Sequence, residues 1–244
     1  MKLAICHLYP ELMNTYGDRG NIITLAKRAS WRGIDIQVSS VSIGSTFDYK
    51  EYDLFFFGGG QDKDQKLIAE DLLTQKKQVI EDAVESGAVF LTVCGGYQLL
   101  GNYYRTQTGE EMPGIGVFDA FTIAGQERFI GNVVIKPGLN LGEIPTLVGF
   151  ENHSGRTYLG SKVRPLGMVL SGRGNNGEDK MEGAIYHNAF GTYLHGPLLP
   201  KNPHFADYLI KLAINRRYGE VDFPPLNDNI ELKAHRSVVS TLIS

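Results

Sequence analysis

The sequence predicts an α/β fold: a mainly parallel open sheet with helices on both faces, and extra antiparallel strands in the second half of the chain. Two observations support this prediction. Up to Val93, apolar runs of strand length alternate with stretches of helical periodicity. From about Arg105 to Tyr193, short apolar segments are instead separated by turn residues, which is typical of antiparallel strands.

In the first half, strands and helices alternate along the chain. The first predicted helix presents Ile22, Leu25, Ala26 and Ala29 on one face, and a second helix follows Asp64. The predicted strands of this half cover residues 2–8, 34–41, 52–57 and 88–93. The runs 52–57 and 88–93 are largely apolar, as expected for strands covered on both sides, whereas 34–41 shows strand-like alternation.

In the second half, the predicted strands are short and a single long helix comes near the end. The strands cover residues 115–123, 128–135, 146–150, 167–172 and 183–187. The helix covers residues 204–219, with Phe205, Leu209 and Leu212 on one face. We expect one domain over residues 1–244, with a core to about residue 223 and a C-terminal tail over 224–244.

Composition excludes several classes of protein. With 244 residues, of which 42% are hydrophobic and 21% charged, the chain can bury one sizeable core. A net charge of -3 and the absence of a Lys/Arg block argue against nucleic-acid binding. No apolar run approaches the roughly 18 residues of a membrane span. Two cysteines and no N-terminal signal pattern predict a reduced, cytoplasmic setting.

Cys94 is the first candidate for chemistry, because it joins the strand 88–93 to a predicted helix start. The N–H groups and dipole of a helix N-terminus favour a thiolate there. A nucleophile on a tight strand-to-helix turn also needs small neighbours, and Gly95 and Gly96 meet that need. The alternative is a small apolar residue that ends a core strand, the commoner role of a free cysteine. Cys6, in mid-strand, is assigned to that class.

His195 is the candidate base among the six histidines. It ends an apolar run and precedes prolines that direct the chain into a loop, so it can lean over the sheet toward Cys94. A structural core or turn histidine is the alternative. The run Gly58 to Gly60 ends another core strand, where backbone N–H groups can approach a substrate and stabilise an oxyanion. It can also be only a tight turn, and it lacks the pattern of a phosphate loop.

Together these features resemble the class I glutamine amidotransferases, and specifically their cobyric-acid-synthase-like branch. The resemblance rests on the glycine-ended strand, on CGGYQ at 94–98 and on YLHGP at 193–197. It narrows to the glutaminase subunits of lipid II isoglutaminyl synthases. The motifs that carry it run in order from residue 14 to 203: NTYGDRGNI, GGGQDKDQ, CGGYQLLG, GFENHSGRTYLG, GRGNNGEDKMEG and GTYLHGPLLPKNP. The resemblance implies a flavodoxin-like sheet.

The resemblance implies glutamine hydrolysis through a covalent intermediate. Cys94 attacks the side-chain amide carbon, ammonia leaves, and the resulting thioester is hydrolysed. His195 is then the general base. Gly95 and a glycine of the 58–60 run, chosen here as Gly60, would hold the oxyanion.

The resemblance also indicates substrate-binding residues. It places Arg128 near the substrate entrance, where a guanidinium can bind the carboxylate of glutamine, although a surface arginine is the alternative. Gln98 either lines the glutamine pocket, the reading favoured here, or caps the helix after Cys94. The family marks Asn152, His153 and Arg156 without a role that the sequence can supply, and a hydrogen-bonded turn is their alternative role.

A glutaminase that serves a synthesis must deliver ammonia along a sheltered path, because ammonia in neutral water is mostly ammonium. The chain has no ATP-binding motif and its first strand begins at residue 2, so we expect the acceptor-activating site on another polypeptide. In the resembled family this partner is a Mur-ligase-like, ATP-dependent subunit that amidates the D-glutamate of lipid II to D-isoglutamine. The expected assembly is a heterodimer in which ATP and Mg²⁺ bind the partner. This chain itself is expected to hold no cofactor and no metal.

The acidic member of the catalytic set is missing from its usual place. In this branch the glutamate two residues after the histidine is absent, and here Pro197 occupies that position. Either Cys94 and His195 act as a dyad, or a carboxylate of the partner completes a triad. The second hypothesis is favoured because it would couple glutamine consumption to the acceptor enzyme.

Two other functions stay open at this point. One is a glutaminase partner of a cobyrinate-type amidase, which would share Cys94 and His195 and would differ in the ATP-dependent subunit. The other is a non-catalytic regulatory module of the same fold. Ammonia release from glutamine would distinguish an enzyme from such a module.

Overall fold

The computed structural model describes residues 1–243, which form two β-sheets and the helices that pack on them. The strands are β1 (Lys2–Leu8), β2 (Asp35–Val41), β3 (Leu54–Phe57), β4 (Val89–Val93), β5 (Tyr103–Arg105), β6 (Glu111–Pro113), β7 (Ala120–Pro137), β8 (Leu147–Leu159), β9 (Gly167–Ser171), β10 (Met181–Glu182), β11 (Ala184–Tyr186) and β12 (Ala189–Thr192). The α-helices are α1 (Arg19–Ser30), α2 (Asp62–Asp71), α3 (Lys77–Glu85), α4 (Gly95–Leu99), α5 (Pro203–Tyr218) and α6 (Asn229–Leu242). Short 3₁₀ turns cover Thr15–Gly17, Tyr49–Glu51 and Leu199–Lys201, and a π turn over Leu72–Lys76 joins α2 to α3.

The first sheet has the order β11-β12-β4-β3-β1-β2. Neighbouring strands from β12 to β2 are parallel, and only the edge strand β11 is antiparallel to its neighbour. Every residue of β3 and β4 is buried, because helices cover both faces of the sheet. The predicted mainly parallel open sheet is therefore confirmed.

The two faces of this sheet carry separate apolar clusters. Alternate residues of β1 point to opposite sides: Leu3 and Ile5 pack with α1 and α5, while Ala4 and Cys6 pack with α2 and α3. Cys6 is fully buried, and burial raises the pKa of its thiol. The assignment of Cys6 to the core is confirmed.

The second sheet follows the path β10-β9-β7-β5-β6, with β8 paired to β7. Its strands are antiparallel except for the β5–β7 pair. The long β7–β8 hairpin dominates this sheet, and its register shifts between Ala124 and Phe129, where β7 carries an irregular bulge. Most of the predicted antiparallel strands of the second half thus form a sheet of their own, whereas the predicted strand 183–187 joins the first sheet as β11.

The predicted tail contains a helix that sequence patterning did not identify. Within α6 only His235 is buried, where its Nε2 lies 2.8 Å from Thr146 Oγ1 and its Nδ1 lies 2.9 Å from Lys201 O. The apolar residues on the same side of α6, Leu232, Val239 and Leu242, are only half-buried and too few to give a strong helical pattern in the sequence. The last residue of the predicted tail, Ser244, lies outside the described residues. None of the helices in residues 1–243 is long and apolar enough to cross a membrane.

Candidate active site

The candidate site lies at the carboxyl edge of the first sheet, where β1, β3 and β4 end side by side. The chain runs from β1 to the edge strand β2 and then returns to β3 on the other side of β1. A reversal of this kind opens a crevice at the carboxyl ends of the strands. The loop before α1, the glycines 58–60 and Cys94 all border this crevice.

Cys94 adopts an unfavourable backbone conformation at the turn between β4 and α4. Its φ is +50° and its ψ is -106°, a backbone conformation that residues other than glycine rarely adopt. Its N–H donates to the Thr192 carbonyl at 2.9 Å, which fixes the turn. A methyl group on Gly96 would lie only 2.5 Å from Phe57 O. Glycine at that position is therefore required for the turn to pack against β3.

His195 lies next to Cys94, because β12 pairs in parallel with β4 and the chain continues from β12 into the same crevice. The histidine is 1% exposed. Its backbone N–H donates to Phe150 O at 2.9 Å, and its carbonyl accepts from Phe150 N at 3.1 Å. A methyl carbon placed on Gly59 would lie 3.0 Å from His195 Cε1 and 3.3 Å from Cys94 Cβ. The two side chains therefore face each other across a glycine.

A carboxylate of the chain itself contacts the histidine. Asp18, which is completely buried, has its Oδ1 3.4 Å from His195 Nδ1. Its Oδ2 accepts from the Gly59 N–H at 2.7 Å. Neither sequence-based alternative, a dyad or a carboxylate from a partner, anticipated this pair. Asp18 immediately precedes α1, yet its side chain points into the site and makes no hydrogen bond that caps the helix.

The surroundings favour the protonated form of His195. Burial lowers the pKa of the imidazole, but the charge of Cys94 and the interactions with Asp18 and Cys94 outweigh burial and raise it to about 10. His195 Nε2 makes no hydrogen bond of normal geometry within residues 1–243. Nε2 is therefore the ring nitrogen left free to take and give a proton beside Cys94.

Two backbone N–H groups next to Cys94 remain available for an oxyanion. Gly59 N–H is bonded to Asp18, and Gly96 N–H donates to the loop carbonyl of Gly58 at 3.1 Å. Those of Gly60 and Gly95 donate to no atom within residues 1–243. The two glycines are adjacent in space, since a methyl on Gly95 would lie 2.9 Å from Gly60 N. The pair chosen from the sequence therefore offers two neighbouring, unbonded N–H groups, which an oxyanion site requires.

A cavity of about 910 Å³ opens in front of Cys94. Its walls come from the β1–α1 loop, from the segment after β3 and from β7 and β8 of the second sheet. Gln98 lines this cavity but its amide is already engaged: Oε1 accepts from Gln65 Nε2 at 3.0 Å, and Nε2 donates to Tyr193 OH at 3.1 Å. The Gln98 side chain thus lines the pocket and bonds to two other side chains, and it does not cap α4.

Arg128 lies on the cavity wall, in the bulge of β7, and its side chain is exposed. Its Nε donates to Asn152 Oδ1, and its Nη2 donates to Asn152 O and to Tyr16 OH, both at 3.1 Å. Nη1 donates to no atom within residues 1–243. The guanidinium is therefore held in place with one nitrogen free to bind an anion.

The resemblance marks three residues of the second sheet: Asn152, His153 and Arg156. Each lies near Arg128. Asn152 accepts from it, as described above. Arg156 donates from Nη2 to Glu127 O at 2.8 Å and stacks 3.3 Å from the ring centre of Phe129, so it holds the bulge that carries Arg128. These contacts give two of the three residues a positioning role that the sequence could not supply.

The third of these residues, His153, faces the cavity. Its ring stacks on Tyr193 at 3.7 Å, and its Nδ1 lies 2.9 Å from Gly155 O. Nε2 has no partner within residues 1–243. Burial is the main reason that the pKa of His153 falls to about 3, so the ring is neutral. With Nδ1 bonded to a carbonyl, Nε2 is a fixed hydrogen-bond acceptor in the cavity wall.

Glu182 supports the segment that leads to His195. Its Oε1 accepts from Thr192 Oγ1 at 2.6 Å and from Tyr193 N at 2.8 Å. Thr192 Oγ1 in turn accepts from Leu194 N at 3.0 Å. Burial raises the pKa of Glu182 to about 7, although these hydrogen bonds oppose the shift.

Sequence reasoning missed Asp18, Tyr16 and Glu182. Asp18 is 177 positions from His195 in the chain, and a carboxylate before a helix reads as an ordinary helix cap. Tyr16 and Glu182 lie within motifs that were recognised, but nothing local in the sequence distinguishes them. Among residues 1–243, no cluster of three or more His, Cys, Asp or Glu side chains is placed to hold a metal ion.

Comparisons with known proteins agree with this geometry. A CobB/CobQ-like glutamine amidotransferase domain matches residues 4–203. The GatD subunit of the glutamine-hydrolysing lipid II isoglutaminyl synthase from Streptococcus pneumoniae is 42% identical over 244 residues, covering all of this chain and 89% of that protein. The subunit of the same name from Staphylococcus aureus is 40% identical over 238 residues, covering 98% and 95% of the two chains. A glutamine amidotransferase structure from Thermotoga maritima superposes with a TM-score of 0.56 at 16% identity, over 98% and 94% of the two chains, and shares the fold.

Proposed function

Because this chain belongs to the family of CobB/CobQ-like glutamine amidotransferases, we propose that its cavity binds L-glutamine and that Cys94 hydrolyses the side-chain amide. One observation carries the proposal. Cys94 sits on a strained turn and faces the buried His195–Asp18 pair across Gly59, beside two free backbone N–H groups. This combination supplies a nucleophile, an oriented base and an oxyanion site within one crevice.

The reaction follows from these positions. His195 Nε2 takes the proton of the Cys94 thiol, and the sulfur attacks the amide carbon. The negative charge that forms on the amide oxygen is stabilised by the N–H groups of Gly60 and Gly95. His195 gives its Nε2 proton to the departing nitrogen, so that ammonia leaves and a thioester remains. The neutral imidazole then takes a proton from water, which attacks the thioester and releases glutamate. Asp18 accepts from Nδ1–H and so keeps Nε2 as the atom that transfers protons.

Three other residues are placed to bind the substrate. Arg128 has a free Nη1 for the α-carboxylate of glutamine. The neutral His153 offers Nε2 as an acceptor for a substrate N–H group. Gln98, whose amide bonds to Gln65 and Tyr193, lines the same cavity.

We further propose that the ammonia passes to a separate Mur-ligase-like subunit in a heterodimer. That subunit would bind ATP and Mg²⁺, activate the D-glutamate carboxyl of lipid II and form D-isoglutamine on the cytoplasmic side of the membrane. Support comes from the two relatives that are named as subunits of lipid II isoglutaminyl synthase and that match this chain along nearly their whole length.

The test is ammonia release from L-glutamine, measured for the chain alone and with the candidate ligase subunit. We expect release in both cases, with a faster rate in the complex, and amidated lipid II only when ATP is added to the complex. Because Asp18 already contacts His195, Asp18→Asn should lower the rate with or without the ligase subunit. Wild-type protein that releases no ammonia in either setting would contradict the proposed function.

A further inference from the structure

Tyr16 occupies an unusual position at the mouth of the cavity. It belongs to the turn Thr15–Gly17 between β1 and α1, its φ is +57°, and its side chain is 45% exposed. Its ring meets the imidazole of His195 edge to face, with ring centres 5.1 Å apart. A left-handed backbone is unfavourable for an aromatic residue, so the surrounding contacts must hold it in place.

The turn is attached firmly to the loop that borders the oxyanion site. The Thr15 N–H donates to Gly59 O at 2.9 Å, and the preceding peptide of that glycine run donates to Asp18 through the Gly59 N–H. The Arg19 N–H donates to the Asn14 side chain at 2.8 Å, which closes the turn on its other side. The Tyr16 turn is therefore attached to the same glycine that bonds to Asp18, the carboxylate beside His195.

The hydroxyl of Tyr16 has an unused proton. It accepts a hydrogen bond from Arg128 Nη2 at 3.1 Å and donates to no atom within residues 1–243. Arg128 Nη1 is also free. Two free donors thus lie on the same cavity wall, on side chains that contact each other, and the two oxygens of a carboxylate can accept one hydrogen bond from each.

The other phenol of the cavity differs in this respect. Tyr104 OH lies 3.3 Å from both carboxylate oxygens of Asp62, so its proton is already directed to an acceptor. A phenol that accepts from an arginine becomes a better donor, because hydrogen bonds in a chain polarise one another. Tyr16, and not Tyr104, is the phenol prepared to donate to an anion.

We propose that Tyr16 is a further substrate-binding residue, whose O–H donates to one oxygen of the glutamine α-carboxylate while Arg128 Nη1 donates to the other. The inference rests on the proposed glutaminase function and extends it to substrate choice. The Tyr16 ring touches the catalytic imidazole while its hydroxyl reaches Arg128, so one side chain spans the distance between the reacting end and the carboxylate end of the substrate. The site should therefore select glutamine with a free α-carboxylate over glutamine whose carboxylate is blocked.

The experiment compares wild-type protein with Tyr16→Phe, which keeps the ring on His195 and removes only the hydroxyl. Tyr186→Phe is the matched control, since the Tyr186 hydroxyl bonds to Glu85 on a different surface. Ammonia release is measured with L-glutamine and with L-glutamine α-amide, which lacks the carboxylate. Affinity for L-glutamine is measured by calorimetry on a Cys94→Ala background, where the substrate is not consumed.

We expect Tyr16→Phe to raise KM and Kd for L-glutamine by roughly 10-fold or more, as for loss of a hydrogen bond to a charged group, and to change kcat much less. With the α-amide, wild type and Tyr16→Phe should have equal kcat/KM, and Tyr186→Phe should match wild type throughout. Unchanged KM and Kd for L-glutamine in Tyr16→Phe, or the same loss with the α-amide, would overturn the proposal while leaving the glutaminase function intact. Failure of wild type to release ammonia and of the Cys94→Ala protein to bind glutamine would overturn both.

Discussion

The two sheets contribute differently to the site. The first sheet supplies the reacting groups, and these are buried and fixed: Asp18 and His195 are 0% and 1% exposed, and Cys94 is held in a strained turn. The second sheet supplies Arg128 from an exposed bulge and Asn152 from the strand beside it. The reacting groups therefore lie where the backbone is most constrained. The residues that bind the substrate lie on a surface that can vary without disturbing those groups.

The most severe test of this division is removal of the nucleophile. Cys94→Ala and Cys94→Ser should abolish ammonia release without unfolding the protein, because no other thiol is among the residues that line the cavity. Activity is followed by ammonia assay and folding by circular dichroism. Cys6→Ser, in the core of the same sheet, should lower stability only. Ammonia release by Cys94→Ala at the wild-type rate would refute the mechanism.

Loss of the base should have the next largest effect. His195→Ala removes the proton-transfer group, and we expect kcat to fall by roughly 10²- to 10⁴-fold, the range that general acid–base catalysis supplies. The measurement is steady-state kinetics. The partly exposed His204, whose Nε2 lies 2.9 Å from Thr146 O away from the cavity, offers the comparison His204→Ala. Equal losses of kcat in the two variants would show that the effect comes from removing a histidine of the fold and not from removing a catalytic base.

Asp18→Asn tests whether the first sheet orients its base as the structure indicates. Because the contact to His195 Nδ1 is long, at 3.4 Å, we expect kcat/KM to fall by about 10- to 100-fold, less than in a tightly bonded triad. The pH profile gives a more specific readout. Asp18 helps to raise the pKa of His195 to about 10, so the imidazolium, and with it activity, persists to alkaline pH in wild type. In Asp18→Asn the fall in activity at alkaline pH should move to lower pH. A pH profile equal to that of wild type would contradict the orienting role of Asp18.

On the second sheet, Arg128→Ala should affect binding more than chemistry. If Arg128 holds the α-carboxylate in the ground state and the transition state alike, KM for glutamine should rise by about 10-fold or more while kcat changes less. Steady-state kinetics separate the two constants. Arg164→Ala, which removes an exposed arginine bonded to Gly138 O far from the cavity, is the control. An unchanged KM in Arg128→Ala would make Arg128 an ordinary surface residue.

Glu182→Gln should have the smallest effect on activity and a clear effect on stability. The pKa of Glu182 is about 7 in the folded state against an ordinary 4.5, so between these pH values the native state keeps a proton that the unfolded state has lost. The free energy of unfolding therefore falls as pH rises from about 4.5 to 7, by up to about 3 kcal/mol. The variant should lose this part of the pH dependence in denaturant titrations. Glu143→Gln, at an exposed position, should retain it.

The sequence by itself determined the α/β fold, the strand-to-helix turn at Cys94 and the glycines around it, because these depend on local patterns of apolar residues and on small residues at a sharp turn. It also indicated His195, through its place at the end of a strand. Only the tertiary structure decided that Asp18 completes the pair with His195 and that Tyr16 joins Arg128. These contacts link residues 177 and 112 positions apart. They arise because parallel strands end at the same edge of the sheet and because the second sheet folds over that edge, which no local pattern specifies.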